Sequence, residues 1–121
     1  MRGIGIDIVE VDRMTKKCQK QDFVDLVFTA EEKKYCQAQG NAAQCFAARF
    51  AAKEAYMKAV SLGWTNDAQF HEIEVTKLES GQPKLRLHGN TKLHFEKASY
   101  SDILLTLSHT SQTAVAVVIV V

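Results

Sequence analysis

The stretch AAQCFAARFAAKEAYMKAV, residues 42–60, contains neither glycine nor proline and is rich in alanine, so it predicts the longest helix of the chain. At about 100° per residue, Phe46, Phe50 and Met57 share one side, and Ala48, Ala51, Ala52, Ala55 and Ala59 share the opposite one. Both sides can therefore pack. A helix apolar nearly all round is normally buried, which makes its charges costly unless they are paired. Arg49 and Lys53 lie along one flank, Glu54 and Lys58 along the other. Four ionisable groups on a core helix make it a candidate for chemistry, although Glu54 and Lys58 at i, i+4 also form an ordinary helix pair.

Upstream, Gly40-Asn41 tolerates the left-handed backbone that ends a helix. The helix it ends begins at Thr29-Ala30-Glu31-Glu32, whose hydroxyl and carboxylate have capping-box spacing. Earlier still, Val11, Met14 and Cys18 recur at helical spacing, with Arg13, Lys16, Lys17 and Lys20 forming a basic stripe on another side. Such a stripe is commonly just a solvated face; its functional alternative is a dock for an acidic partner. The chain opens on Gly3-Ile4-Gly5-Ile6-Asp7-Ile8-Val9, a strand with Ile4, Ile6 and Ile8 on one face and Gly3, Gly5 and Asp7 on the other. Glycines weaken a strand, so the second face is expected to be open, with a metal ion or phosphate-bearing ligand approaching the backbone beside Asp7. A bulge or edge strand with a solvated aspartate accounts for the same pattern.

Downstream, residues 61–67 read as a loop. Ile73, Val75 and Lys77 alternate with Glu72, Glu74 and Thr76, and Leu85 and Leu87 alternate with Lys84, Arg86 and His88, which predicts a hairpin with one wet face. Residues 91–100 fit a short helix capped by Asn90 or Thr91. Residues 103–107 and 114–121 read as two strands separated by Ser108-His109-Thr110. The last strand is apolar on both faces, so it is expected at the centre of the sheet or buried by another subunit. This order predicts one α+β domain over residues 1–121, with a largely antiparallel sheet packed against the long helix.

Formal net charge is +1 and the charges are dispersed, which offers no bulk attraction to nucleic acid or a membrane surface. Cys18, Cys36 and Cys45 are odd in number and lack paired metal or redox spacing, so they are expected to be reduced thiols of a cytoplasmic protein. No basic segment followed by an apolar run opens the chain, and the apolar C-terminal segment is too short to span a bilayer.

Asp7, the Arg49/Lys53/Glu54/Lys58 cluster and Ser108-His109-Thr110 are candidates for one shared site. Two carboxylates suit Mg²⁺, which prefers oxygen ligands, and several cations suit a polyphosphate. His109 taken alone is as well explained as a turn residue.

In combination, GIGIDIVEVDRM at 3–14, FTAEE at 28–32, RFAAKEAYMKA at 49–59, the Gly81-Gln82-Pro83 turn and SHT at 108–110 resemble the holo-acyl-carrier-protein synthases, the short trimeric type of 4′-phosphopantetheinyl transferase. The resemblance spans essentially the whole chain. It implies transfer of the 4′-phosphopantetheine arm of coenzyme A to a serine of apo acyl carrier protein, with release of 3′,5′-ADP, in fatty acid biosynthesis. By the same resemblance Asp7 and Glu54 are expected as Mg²⁺ ligands, and Lys58 as a catalytic cation beside them. Arg49, Lys58, Ser108 and His109 are expected to contact coenzyme A. Arg13, Lys17 and Lys20 are expected to meet the acidic carrier protein, and the assembly is expected to be a homotrimer with sites between subunits. Related chains are richer in glycine after the long helix, where this one has Gly63-Trp64. A non-catalytic oligomeric packing module, or an Mg²⁺-dependent enzyme acting on another nucleotide diphosphate, are the competing readings of the residues.

Overall fold

The structure is a computed structural model that describes all residues from Met1 to Val121. Strand β1 (Gly3–Glu10) leads into helices α1 (Val11–Lys17), α2 (Gln21–Val27), α3 (Ala30–Gln37) and α4 (Ala42–Ala59). A 3₁₀ turn at Phe70–Glu72 precedes β2 (Ile73–Lys77) and β3 (Pro83–Leu87). Helix α5 (Gly89–Lys97) and strands β4 (Ile103–His109) and β5 (Thr113–Val120) complete the fold. The strands form two antiparallel sheets, β1-β5-β4 and β2-β3.

The α+β reading stands, and the doubly apolar last strand is indeed central, paired on both edges. Its Ala114, Ala116, Val118 and Val120 are buried. The alternate positions lie on the sheet's outer face, in rows such as Ile4-Ile119-Leu104.

The first strand requires a correction. Its glycine face is not open to a ligand, because α4 lies directly on it. A methyl group added to Gly5 would stand 2.0 Å from the Ala55 carbonyl oxygen, and one added to Gly3 would stand 2.0 Å from that of Ala59. Glycine is needed there for helix backbone to reach strand backbone. The isoleucine face is the exposed one, with Ile4 56%, Ile6 59% and Ile8 68% accessible.

Thr29 caps α3 as expected. Its Oγ1 accepts from the Glu32 backbone N–H, and Glu32 Oε1 accepts from the Thr29 N–H. Glu32 then enters the core, accepting Lys53 Nζ at 2.8 Å and the Val75 N–H at 2.9 Å. Lys53 also donates to the carbonyls of Phe70 and Ile73, so all three ammonium donors are used. Burial pushes the Lys53 ammonium pKa down, while the charge of Glu32 pulls it back up.

Other elements depart from the sequence reading for identifiable reasons. Residues 21–27, where the sequence signals no element, form α2; two turns without a side-chain cap carry too little periodicity to stand out. The hairpin's wet face is partly dry, since Glu74 is buried between Thr29 at 2.6 Å and His88 at 3.0 Å. Helix α5 begins at Gly89 rather than Thr91, and its first amides are capped from a distance by the Glu72 carboxylate. The expectation of three free thiols is also corrected. The turn at Gly40-Asn41 folds α4 back against α3 and brings the Cys36 and Cys45 Cα atoms to 5.3 Å, where the two form a disulfide. Cys18 alone is free. No helix is long and apolar enough to cross a membrane.

Gly5→Ala is expected to destabilise the fold by about 1–3 kcal/mol through overpacking against α4, read as a lowered Tm in thermal denaturation. An unchanged Tm would mean that the contact between β1 and α4 yields freely.

Candidate active site

Because α4 rests on the glycines of β1, the next inward side chain of that strand, Asp7, emerges beside the last turns of the helix. Lys58 Nζ donates to the Asp7 carboxylate at 3.1 Å and to the Ile6 carbonyl at 2.9 Å. Asp7 and Glu54 line one cleft of about 480 Å³ together with Glu10, Arg13, Lys17 and Phe50. The Glu54 carboxyl is held above its ordinary value, first by burial and second by the negative charge of Asp7. Lys58 is bonded to Asp7 and not to Glu54, so the i, i+4 helix pair does not form. Two hard carboxylates with space beside them form a donor set that fits Mg²⁺, with water and phosphate oxygens to complete its shell.

The basic stripe contributes to the rim. Arg13 lines the cleft from α1, and Lys17 lies 5.2 Å from the ring centre of Phe50 on the cleft's apolar wall. Lys20 falls in the turn after α1 and does not line this cleft.

Arg49, Ser108 and His109 are elsewhere. Nine residues separate Arg49 from Lys58, which is roughly two and a half helical turns, so they project from opposite sides of α4 about 13 Å apart along the axis. Arg49 and His109 line a second cleft of about 370 Å³, bounded by α3, the Gly40-Asn41 turn and the start of β3. Ser108 alternates away from His109 and pairs with Val115 on the exposed sheet face. Lys53 is withdrawn into the core with Glu32. Trp64 packs on Phe70 and lines neither cleft.

Arg49 is 6% exposed and has no carboxylate in ion-pair contact. Its Nη1 lies 3.1 Å from Cys45 Sγ, its guanidinium sits 4.4 Å from the Tyr35 ring centre, and its Nε has no partner. Tyr35 and Lys77, neither of which the sequence marks as a site residue, share this cleft. Lys77 lies on a strand and Tyr35 on a short helix, and nothing in the spacing 35, 49 and 77 signals that they meet.

The 4′-phosphopantetheinyl transferase superfamily matches residues 3–118. A holo-[acyl-carrier-protein] synthase of Koribacter versatilis is 41% identical over 119 residues, covering 97% of this chain and 95% of that protein. Among solved structures, the holo-[acyl-carrier-protein] synthase of Neisseria meningitidis superposes with a TM-score of 0.92 at 30% identity, over 99% of this chain and 98% of that one. The Helicobacter pylori enzyme, solved in complex with coenzyme A, gives 0.85 at 29% identity over 98% and 99%. The chain therefore belongs to the 4′-phosphopantetheinyl transferase superfamily and is a transferase of that class. A purely structural packing module is set aside on that ground.

Asp7→Asn is expected to lower the Glu54 titration point, because it removes the like charge and leaves only burial. Carboxyl-carbon NMR titration measures this, and an unmoved Glu54 would show that the two acids do not sense one another. In the native chain, a raised Glu54 pKa places proton competition with any bound cation at higher pH than a free glutamate would. Divalent-cation affinity is therefore expected to fall as pH drops towards that raised value.

Proposed function

We infer that this transferase moves the 4′-phosphopantetheine arm of coenzyme A onto a serine of an apo acyl carrier protein and releases 3′,5′-ADP, supplying active carrier for fatty acid biosynthesis. The observation that carries this reading is the cleft lined by Asp7, Glu54 and Arg13, with Lys58 bonded to Asp7, on a chain whose relatives are holo-[acyl-carrier-protein] synthases. Coenzyme A bound to the Helicobacter pylori relative supports the same donor.

In this reaction a bond forms between the serine Oγ and the β-phosphorus, and the bond from that phosphorus to the bridging oxygen of 3′,5′-ADP breaks. Positioning and charge neutralisation dominate such displacements. Asp7 and Glu54 would hold Mg²⁺, which when bound would neutralise the diphosphate. Lys58, oriented by Asp7 and the Ile6 carbonyl, adds a cation beside the diphosphate oxygens. Glu54, which lines the cleft beside Asp7, is our choice to take the serine proton by way of an intervening water, with Asp7 and His109 as its rivals. Arg13 and Lys17 stand at the cleft's mouth, where an acidic carrier protein would approach, and Lys20 extends the basic surface outward.

The working unit in this reading is a homotrimer. Arg49 and His109 lie on the other side of α4 from Asp7 and Glu54, so one extended nucleotide substrate is best accommodated if the second cleft of one protomer faces the first cleft of its neighbour. The outer sheet face, with Ile4, Ile6, Ile8 and Leu104 all about half or more exposed, provides an apolar surface for such contact. With the diphosphate held near Lys58, the 3′-phosphate is the anion left for Arg49 and His109. Cytoplasmic location belongs to the same proposal, and rapid alkylation of intact cells before lysis reads how far the Cys36–Cys45 bond is formed there.

Incubation of apo carrier protein with this protein, coenzyme A and Mg²⁺ is expected to add the mass of one phosphopantetheine group. Glu54→Ala is expected to slow that reaction by roughly 100-fold or more, and full retained activity removes Glu54 from the site. Arg13→Glu is expected to raise KM for the carrier by roughly tenfold, with little effect on coenzyme A. Mixing inactive Glu54→Ala with inactive Arg49→Ala is expected to restore part of the activity if each site draws on two chains. No recovery in verified mixed oligomers places the whole site in one protomer.

A further inference from the structure

The second cleft carries a charge pattern that its expected residues, Arg49 and His109, do not exhaust. No residue lining it is acidic, yet Arg49, Lys77 and His109 all contribute to its wall. Arg49 is more than nine-tenths buried, and its Nε finds no hydrogen-bond acceptor. A buried cation without a carboxylate is costly, and here an aromatic ring offsets part of that cost. The ring is Tyr35, with the Arg49 guanidinium 4.4 Å and the Lys77 ammonium 4.5 Å from its centre. Lys77 also donates to the Tyr35 hydroxyl, an interaction that holds the phenol below its ordinary pKa. Tyr35 belongs to α3, Arg49 to α4 and Lys77 to the end of β2, so one side chain ties three elements around the cavity.

We propose that Lys77 is a third cation of the phosphate subsite formed by Arg49 and His109, and that Tyr35 is its positioning residue, fixing Lys77 through the hydroxyl and Arg49 through the ring. The proposal rests on the reading of this cleft as the place where the 3′-phosphate of coenzyme A binds. Two mobile cations would repel one another and drift into solvent; held on a common ring, they present a fixed pair of donors to a dianion before it arrives. Preorganisation of this kind lowers the ordering cost of binding. It also makes the cleft selective, since a ligand without the dianion leaves the cations uncompensated.

The test compares coenzyme A with dephospho-coenzyme A, which lacks only the 3′-phosphate, by calorimetry on the intact protein. Lys77→Met is expected to weaken coenzyme A binding by about tenfold while changing dephospho-coenzyme A less than about twofold, so that discrimination between the two ligands shrinks. Lys77→Arg, which keeps the charge, is expected to retain most of it. Tyr35→Phe keeps the ring under Arg49 and removes the hydroxyl from Lys77, so a smaller loss of about threefold, again confined to coenzyme A, is expected. Tyr35→Leu removes both contacts and is expected to lose at least as much discrimination as Lys77→Met. Lys77 is exposed and Tyr35 half-buried against the core, and equal melting temperatures verify that the variants fold.

Equal weakening of the two ligands would overturn the proposal in favour of a merely structural Tyr35. Unchanged discrimination in Lys77→Met, with the native chain discriminating normally, would overturn it while leaving the subsite of Arg49 and His109 intact. A native chain that binds both ligands equally would remove that subsite altogether, and the proposal with it.

Discussion

Everything in this fold depends on how closely α4 can lie on β1. Glycines at positions 3 and 5 let the carbonyls of Ala55 and Ala59 approach to where a side chain would otherwise stand. The alanine face of the helix continues that contact onto Ala114, Ala116, Val118 and Val120 of β5, giving an interface of small residues between helix and sheet. Small residues bury little area each, but they admit no voids and leave the helix one seat. With α4 seated there, Glu54 and Lys58 are carried to the strand end where Asp7 emerges.

A second constraint sets the opposite flank of the helix. Lys53 is fully buried and its one ion-pair partner is Glu32, whose other oxygen is bonded to the Val75 amide. Removal of either partner leaves a charge stranded in the core, a larger loss than the pair's net contribution to stability. The pair therefore acts as a locator: it fixes α3 and β2 against α4, and through them Tyr35 and Lys77 against Arg49. Both clefts are consequences of one helix held on two sides by different physics, close backbone packing on one and a buried ion pair on the other.

The chemistry separates in the same way. The cleft of Asp7 and Glu54 concentrates negative charge next to Lys58, suited to a divalent cation and the diphosphate it neutralises. The cleft of Arg49 has cations and no acid, suited to an isolated phosphate. Coenzyme A, the molecule bound to the Helicobacter pylori relative, carries both kinds of group, a diphosphate on the 5′ side of its ribose and a single phosphate on the 3′ oxygen.

Residue order and spacing were enough to establish the α+β class, the long helix, the capping box of Thr29 and Glu32 and the central last strand, because periodicity and capping are local properties. Which face of β1 is covered was not decided there: period 2 separates isoleucines from glycines but does not say which set meets the helix, and the structure reverses the intuitive answer. The burial of Glu74, the Cys36–Cys45 bridge and the meeting of Tyr35, Arg49 and Lys77 all join residues distant in the chain or folded back by a turn. Such pairings are decided by packing, since the free energy that selects them comes from excluded volume and desolvation, which exist only once the elements have docked.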